Sequence, residues 1–235
     1  RAKYRPAHGH PKDTIGLSKG VMLSRIWSAA IIGIDAIKVG VEVDLSGGLP
    51  TMVVVGLPDT AVQESRERTR AALKNSGFPF PMRKIVINLT PADLRKEGPS
   101  FDLPISMGVL AATEQIKPDL LNDFLFMGEL SLDGTLRPVA GVMAIAAAAK
   151  SLGLKGLVVP ADNAREAAVV PGLEVYGFKQ LSDIVDFLNH PAQYLPYQID
   201  GQAELAKTSS NSMDLRDGKG QAQARRALEI AAAGG

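Results

Sequence analysis

The sequence has no cysteine. That excludes a disulfide framework, a thiolate zinc site and a cysteine nucleophile, and it fits a reducing compartment such as the cytoplasm. Histidine is scarce, with only His8, His10 and His190. None stands in HExxH or a comparable ligand spacing, so no histidine-based metal site is expected. No apolar run approaches the roughly 18 residues that a membrane-spanning helix needs, and the N-terminal residues lack the basic–apolar–small pattern of a secretory signal. The expectation is a cytoplasmic protein with no membrane partner. An excess of one charge is also missing: 26 basic residues face 25 acidic ones. The balance is uneven along the chain. Residues 1–21 carry Arg1, Lys3, Arg5, Lys12 and Lys19 against Asp13, a net +4, which leaves −3 for the remaining 214 residues of a chain with formal charge +1. The body is therefore not a basic, nucleic-acid-like domain by charge, and any DNA contact needs a local patch.

What is present suffices for one sizeable core. A chain of 235 residues buries roughly two-thirds of its unfolded surface without a covalent staple. Residues 1–21 read as a flexible leader. The body, 22–189, alternates strand and helix patterns. Strand-like runs are Arg25–Ile32, Ile37–Leu45 and Met52–Val55. In the second, Ile37, Val39, Val41 and Val43 alternate with polar or small residues, as in a half-buried strand. Ser46-Gly47-Gly48 reads as a turn, so the second and third runs are expected to form a hairpin. A helix over Asp59–Ser76 starts at Pro58-Asp59 and stops at Gly77. Val62, Ser65, Thr69, Ala72 and Leu73 form its inward stripe. Lys84–Leu89 is a strand, Phe101–Glu114 a helix, and Phe124–Leu132 with Thr135–Arg137 a hairpin about Asp133-Gly134. Then come helix Val142–Leu152, strand Gly156–Val159, helix Asn163–Ala168, strand Leu173–Tyr176 and helix Gln180–Leu188. The pattern predicts an α/β body with a mixed sheet and helices mainly on one face. Residues 190–212, polar with scattered prolines, read as a linker. A new segment begins at 213, helical over Gln221–Ala233.

Chemistry-bearing candidates are few. Arg66, Arg70 and Lys74 are spaced four apart, which puts them on one helix face. They are either a phosphate-contacting stripe or a solvated face with local ion pairs such as Glu64–Arg68 and Glu67–Arg70. Arg83-Lys84 and Arg95-Lys96 either extend that patch or flank a strand and a loop. The glycine before the helix in VGLPDTAV lacks the other glycines of a dinucleotide fingerprint and reads as a turn. Asp93, Glu97, Asp102 and Glu129 lie near loops or helix ends, and no metal site is assigned to them; Asp102 is explained by the helix dipole.

The last 23 residues, MDLRDGKGQAQARRALEIAAAGG, closely resemble the lead-in to the AAA+ module of the magnesium-chelatase-like ATPases of the ComM/YifB family. The body resembles the N-terminal domain of the same family through SRIWSAAIIGIDAIKVGVEVDLSGGLP, VVGLPDTAVQESRERTRAALKNSGF, INLTPADLRKEGPSFDLPI, FMGELSLDGTLRPVAG and VVPADNAREAA. The resemblance implies a fold like the second domain of ribosomal protein S5, shared with the proteolytic domain of Lon. It also implies a homo-hexameric ATPase whose partners are its own AAA+ module, neighbouring subunits and DNA, with branch migration in transformation and recombination as its work. In that family a strand and a phosphate-binding loop follow the lead-in. No GxxxxGK[ST] occurs in the sequence, so the chain is read as the front part of the machine, 213–235 as the start of its AAA+ module. No ATP hydrolysis, cofactor or metal is expected within it, and ATP and Mg²⁺ belong to the full-length protein.

KEGPSFDLP also resembles the segment around Lon's nucleophilic serine, which falls on Ser100. Aligning Gly128-Glu129, Gly134, Pro138 and Gly141 with Lon's lysine-bearing segment puts Met143 where the general base stands. A thioether accepts no proton at neutral pH, so the resemblance implies a relic site at Ser100 and Met143 rather than a peptidase. The bland reading of Ser100 is an N-cap for the helix that begins near Phe101. Lys150, about two turns beyond Met143, stands roughly 10 Å further along the axis, too far to act in its place. Two alternatives remain: a Lon-like serine peptidase, and a magnesium chelatase subunit of tetrapyrrole synthesis.

Overall fold

The structure, a computed structural model, describes residues 22–199, 220 and 222–232. The leader 1–21 and most of 200–221 lie outside the described residues. The chain divides into two compact units, 1–199 and 200–235.

The first unit is built on a seven-stranded mixed sheet with the order β3-β4-β2-β1-β5-β8-β9. Its strands are β1 (Met22–Ile32), β2 (Asp35–Ser46), β3 (Thr51–Val55), β4 (Lys84–Thr90), β5 (Phe124–Phe126), β8 (Gly156–Pro160) and β9 (Glu174–Phe178). A separate ribbon pairs β6 (Glu129–Leu130) with β7 (Leu136–Arg137). The hairpin expected between the second and third strand runs does not form. β2 instead pairs antiparallel with β1 across the two-residue turn Gly33-Ile34, and with β4 on its other side. β3 lies parallel to β4 at the sheet edge. The reason is the helix that follows β3: a strand–helix–strand segment closes as a parallel crossover. β4 takes the inner position because Ile85, Ile87 and Leu89 bury almost completely.

Helix α1 (Thr60–Asn75) starts where Asp59 Oδ1 accepts the Val62 N–H at 2.8 Å, and it ends before Gly77, whose φ is +84°. Its buried residues are the five read as its inward stripe. α2 (Asp102–Ala112) is apolar nearly all round, with ten of its eleven residues buried. A helix of that composition belongs in the centre of a core. It lies with α1 and α5 (Leu181–Asn189) against Val39, Val41, Val43, Ile87 and Phe126. Helices α3 (Val142–Ser151) and α4 (Ala161–Ala168) pack on the other face, over Ala29, Leu125, Leu157, Val159 and Val175. The helices thus divide three and two. Over β3, β4 and much of β2, no helix among the described residues covers the second face, which carries Val53 and Val55, both exposed.

The unit continues past Asn189. Tyr194 packs against Phe178 and Phe187 at 5.7 and 5.6 Å, and the Tyr197 N–H donates to the Val175 carbonyl at 2.6 Å. Asp186 joins this segment to α5, accepting from the Tyr194 hydroxyl at 2.6 Å and meeting His190 Nδ1 at 2.9 Å. The Tyr194 hydrogen bond first, and His190 second, hold the Asp186 carboxyl below the usual carboxylate range; the same bond pushes the Tyr194 phenol up to about 12. A depressed carboxyl stabilises above its unfolded pKa and loses that contribution as pH falls through its folded one. A raised phenol does so below roughly pH 10 and loses it toward about 12. Protection of the Tyr197 amide from hydrogen exchange is therefore expected to fall below about pH 4. In Asp186→Asn that acid step disappears.

In the second unit, α6 (Ala222–Ala232) falls within the helix read from the sequence and carries an Arg226–Glu229 pair at 3.1 Å.

Candidate functional site

Two loops meet beside the C-terminal end of β3. The first, Gly56 to Asp59, links β3 to α1. The second, Asp93 to Ser100, links β4 to α2. They are zipped by main-chain bonds: Lys96 N–H to Leu57 O at 3.1 Å, and Asp59 N–H to Lys96 O at 2.9 Å. Asp59 adds its second carboxylate oxygen, which accepts the Gly98 N–H at 3.0 Å. Lys96 is fully buried, and its Nζ donates to the carbonyls of Gly56, at 3.0 Å, and Pro91. Burial pushes its pKa down, and Asp93 partly opposes this. Lys96 therefore cannot extend a surface patch, contrary to one reading of Arg95-Lys96; Arg95 pairs with Glu97 at 3.2 Å.

Gly98 turns the chain with φ +82° into a 3₁₀ turn, Pro99–Phe101, that runs directly into α2. Ser100 lies inside this turn. Neither the turn nor α2 has a side-chain cap, so the expected capping role for Ser100 is corrected. The turn makes it unnecessary, because tight i→i+3 bonding satisfies groups that a cap would serve. The Ser100 carbonyl accepts from Gly128 N–H, and the Gly128 carbonyl from Leu103 N–H, both at 3.0 Å. This fixes Ser100 against the strand end that precedes Glu129. Between them is a cleft of about 360 Å³, lined among others by Ala30, Glu97, Ser100, Glu129, Pro138 and Ile145.

Among the described residues, the cleft is lined by a hydroxyl and two carboxylates and by no amine. Met143 is in the first turn of α3, 49% exposed, with its N–H on Glu166 Oε1 at 3.0 Å. Lys150 is exposed in the last turn of that helix. The lysine nearest to Ser100 in sequence, Lys96, has its Nζ occupied by two carbonyls. Without a base, a serine hydroxyl is a weak nucleophile.

Below the cleft lies a network that sequence reasoning missed. Asp102, fully buried, accepts from Arg68 Nε at 2.6 Å and Nη2 at 3.0 Å, from the Ser65 hydroxyl, and from the Leu130 N–H at 3.1 Å. The Asp102 hydrogen bond raises the Arg68 pKa. Asp102 so ties α1, α2 and β6 together, well beyond the helix-dipole role read for it. Glu64–Arg68 is present at 3.6 Å but secondary. The available signal was a pair of matched polar interruptions. Ser65 and Thr69 stand in the apolar stripe of α1, Asp102 and Ser106 in apolar α2, and Ser106 Oγ donates to Thr69 Oγ1 at 3.3 Å.

Arg66, Arg70 and Lys74 share one flank of α1, but two are engaged. Arg66 donates to Gln63 O at 2.9 Å and to Met52 O of β3 at 3.4 Å. The Arg70 guanidinium rests 5.7 Å from the Phe80 ring centre. Lys74 is exposed in the last turn, where a cation suits the helix dipole.

Asp59 fills the N-terminus of α1 with its own carboxylate, and among the described residues no group of three or more His, Asp or Glu could hold a metal ion. No described helix is long and apolar enough to cross a membrane.

A mixed seven-stranded sheet with a serine-bearing turn at the head of a central helix defines an α/β domain of the ribosomal S5 domain 2-like, Lon-related class. The chain belongs to the family described as subunit ChlI of Mg-chelatase, which matches residues 41–163. Among its relatives, the competence protein ComM of Haemophilus influenzae is 44% identical over 214 residues, 90% of this chain and 42% of that protein. YifB of Escherichia coli is 41% identical over 214 residues, covering 91% and 41%. Lon protease 2 of Bacillus subtilis is 28% identical over 139 residues, covering 58% and 25%. The chain spans about two-fifths of the length of the ComM and YifB relatives.

Proposed function

We propose that this chain is the non-catalytic N-terminal module of a homo-hexameric AAA+ ATPase that acts on branched DNA during transformation and recombination. The module docks against its own ATPase part and neighbouring subunits in the cytoplasm. ATP and Mg²⁺ are bound outside it. The reading is carried by the 44% identity to a competence protein across nine-tenths of the chain. What supports the non-catalytic part is the chemistry around Ser100: the Met143 thioether accepts no proton, and Lys96 is buried with its Nζ on carbonyls.

The test has two arms. In the first, the 235-residue chain is incubated with a serine-directed fluorophosphonate and casein. No adduct on Ser100 and no cleavage are expected; labelling at Ser100 returns the peptidase reading. In the second, the full-length protein is assayed for ATP hydrolysis with and without a four-way DNA junction. Stimulation by the junction is expected, and its absence removes the DNA-motor reading. Loss of the gene is expected to impair transformation and to leave tetrapyrrole pigment unchanged; the reverse favours a chelatase subunit.

A further inference from the structure

β3 ends the sheet, and among the described residues no strand pairs with its outer side. Such an edge presents unpaired N–H and C=O groups and is a template for another strand. Natural edges are usually guarded by lysine, by a bulge or by a covering element. β3, TMVVV, contains no charged residue, and Leu49, Val53, Val55 and Leu57 along it are all more than 40% exposed. Among the described residues, the side chain that reaches this edge is Arg66, whose guanidinium lies at a long 3.4 Å from the Met52 carbonyl. That contact marks Met52, and by the two-residue repeat Val54, as residues whose main chain points away from β4. The surroundings of this edge are basic. Arg66, Arg70 and Lys74 line the flank of α1, and Lys84 pairs across from Thr51 at the strand's start. Glu67, one step further round the helix, is the neighbouring carboxylate; Glu64 is on the opposite flank with Arg68.

We propose that the outer edge of β3 and the Arg66–Arg70–Lys74 flank of α1 form one docking site, and that its occupant is an extended acidic segment of a protein partner, added to the sheet as an eighth strand. The main chain of Met52 and Val54 supplies the pairing. The two-residue repeat sets the partner's pattern: carboxylates at alternate positions face α1, and apolar side chains between them lie beside Val53 and Val55 on the open face. Arg66 exchanges its bond to Met52 for one of those carboxylates, which leaves the carbonyl to the incoming strand. The geometry favours a peptide over DNA, because a phosphate backbone has no N–H and C=O ladder to offer the edge.

The probe is a peptide of about seven residues alternating glutamate and valine, closed by proline at both ends against self-pairing. Its binding to the 235-residue chain is followed by fluorescence anisotropy, and the amides of Met52 and Val54 by hydrogen exchange. The expected result is binding with added protection at both amides. Exchanging glutamate for lysine in the peptide, or making Arg70→Glu with Lys74→Glu in the protein, weakens it about tenfold. Val53→Glu, which replaces an exposed apolar contact of the edge with a charge like the peptide's, gives a second variant with the same direction. Absence of binding, binding without protection at Met52 and Val54, or equal binding of the lysine peptide overturns the proposal. So does displacement of nothing but bound duplex DNA by the same charge reversals, which assigns the flank to nucleic acid instead.

Discussion

Replacing Arg68 with alanine is expected to lower the unfolding free energy by about 3 kcal/mol, read as a shift in the urea midpoint at constant slope. The loss comes less from the bond removed than from what remains. Asp102 is fully buried, and without Arg68 it keeps the Ser65 hydroxyl and the Leu130 N–H but no positive charge. An uncompensated buried carboxylate typically costs 3–5 kcal/mol. The lower end applies because the Arg68 side chain is 21% exposed, so water reaches part of the vacated space. Arg68→Lys restores charge but not the fork of Nε and Nη2 bonds, and should recover only part of the loss. Combining Arg68→Ala with Asp102→Asn should cost clearly less than the two single losses added, because the second change removes the charge that the first one strands. Additive losses would mean that Arg68 stabilises through its stem packing alone. The network also bears on the cleft: Asp102 lies two residues after Ser100 and binds the amide following Glu129, so both cleft walls hang on one carboxylate.

Much of this architecture was legible because it follows from repeating patterns. The α1 stripe, the Asp59 cap and the stop at Gly77 all come from local rules that the fold obeys. The mixed sheet was read from strand–helix alternation plus two expected hairpins. The sheet is mixed, but through the antiparallel pairs β1–β2 and β2–β4, while the second hairpin is the separate β6–β7 ribbon. Strand order was not legible, because pairing is decided between segments far apart. Ser46-Gly47-Gly48 is a sound turn signal, yet a turn permits a hairpin without requiring one. The helix after Val55 carried the stronger information, since it forces β3 to return in parallel beside β4. The candidate site divides along the same line. Ser100 and Met143 could be named from resemblance, whereas Lys96 and Asp102 could not. Lys96 stands in a polar, loop-like stretch and Asp102 at the head of an apolar helix, and both bury completely. Their partners are a pair of carbonyls and an arginine 34 positions away; the polar interruptions in α1 and α2 hint at a buried network around Asp102, but no local rule names either partner. Arg66 and Arg70 show the converse. Their spacing was read correctly, but spacing alone does not reveal that Met52 and Phe80 hold them.

A larger effect than that of Arg68→Ala is expected at Gly56. Gly56→Ala should prevent stable folding or cost more than about 4 kcal/mol, lowering the melting temperature by roughly 10 °C or more. Two causes act together. Gly56 has φ +96°, a region where a Cβ meets the carbonyl and costs roughly 1–2 kcal/mol. The second cause is larger. An added Cβ would stand 2.1 Å from the Leu89 carbonyl oxygen and 2.9 Å from its carbon. Those are backbone atoms of β4, an inner strand that no rotamer change can move aside. The two causes separate experimentally. Gly33, at the β1–β2 turn, also has a positive φ, +62°, but a Cβ there meets nothing within 4 Å. Gly33→Ala should therefore show the conformational cost alone. If the two variants melt at the same temperature, the close approach to Leu89 is not what fixes glycine at position 56. If Gly56→Ala is far worse, the constraint is the contact that brings the Gly56 carbonyl onto Lys96 Nζ. That bond joins the β3–α1 loop to the loop carrying Ser100, so the methyl group should disturb the cleft as well as the sheet edge. A probe of the Ser100 amide, which belongs to neither Gly56 nor Leu89, should then report the change at temperatures where the variant is still folded.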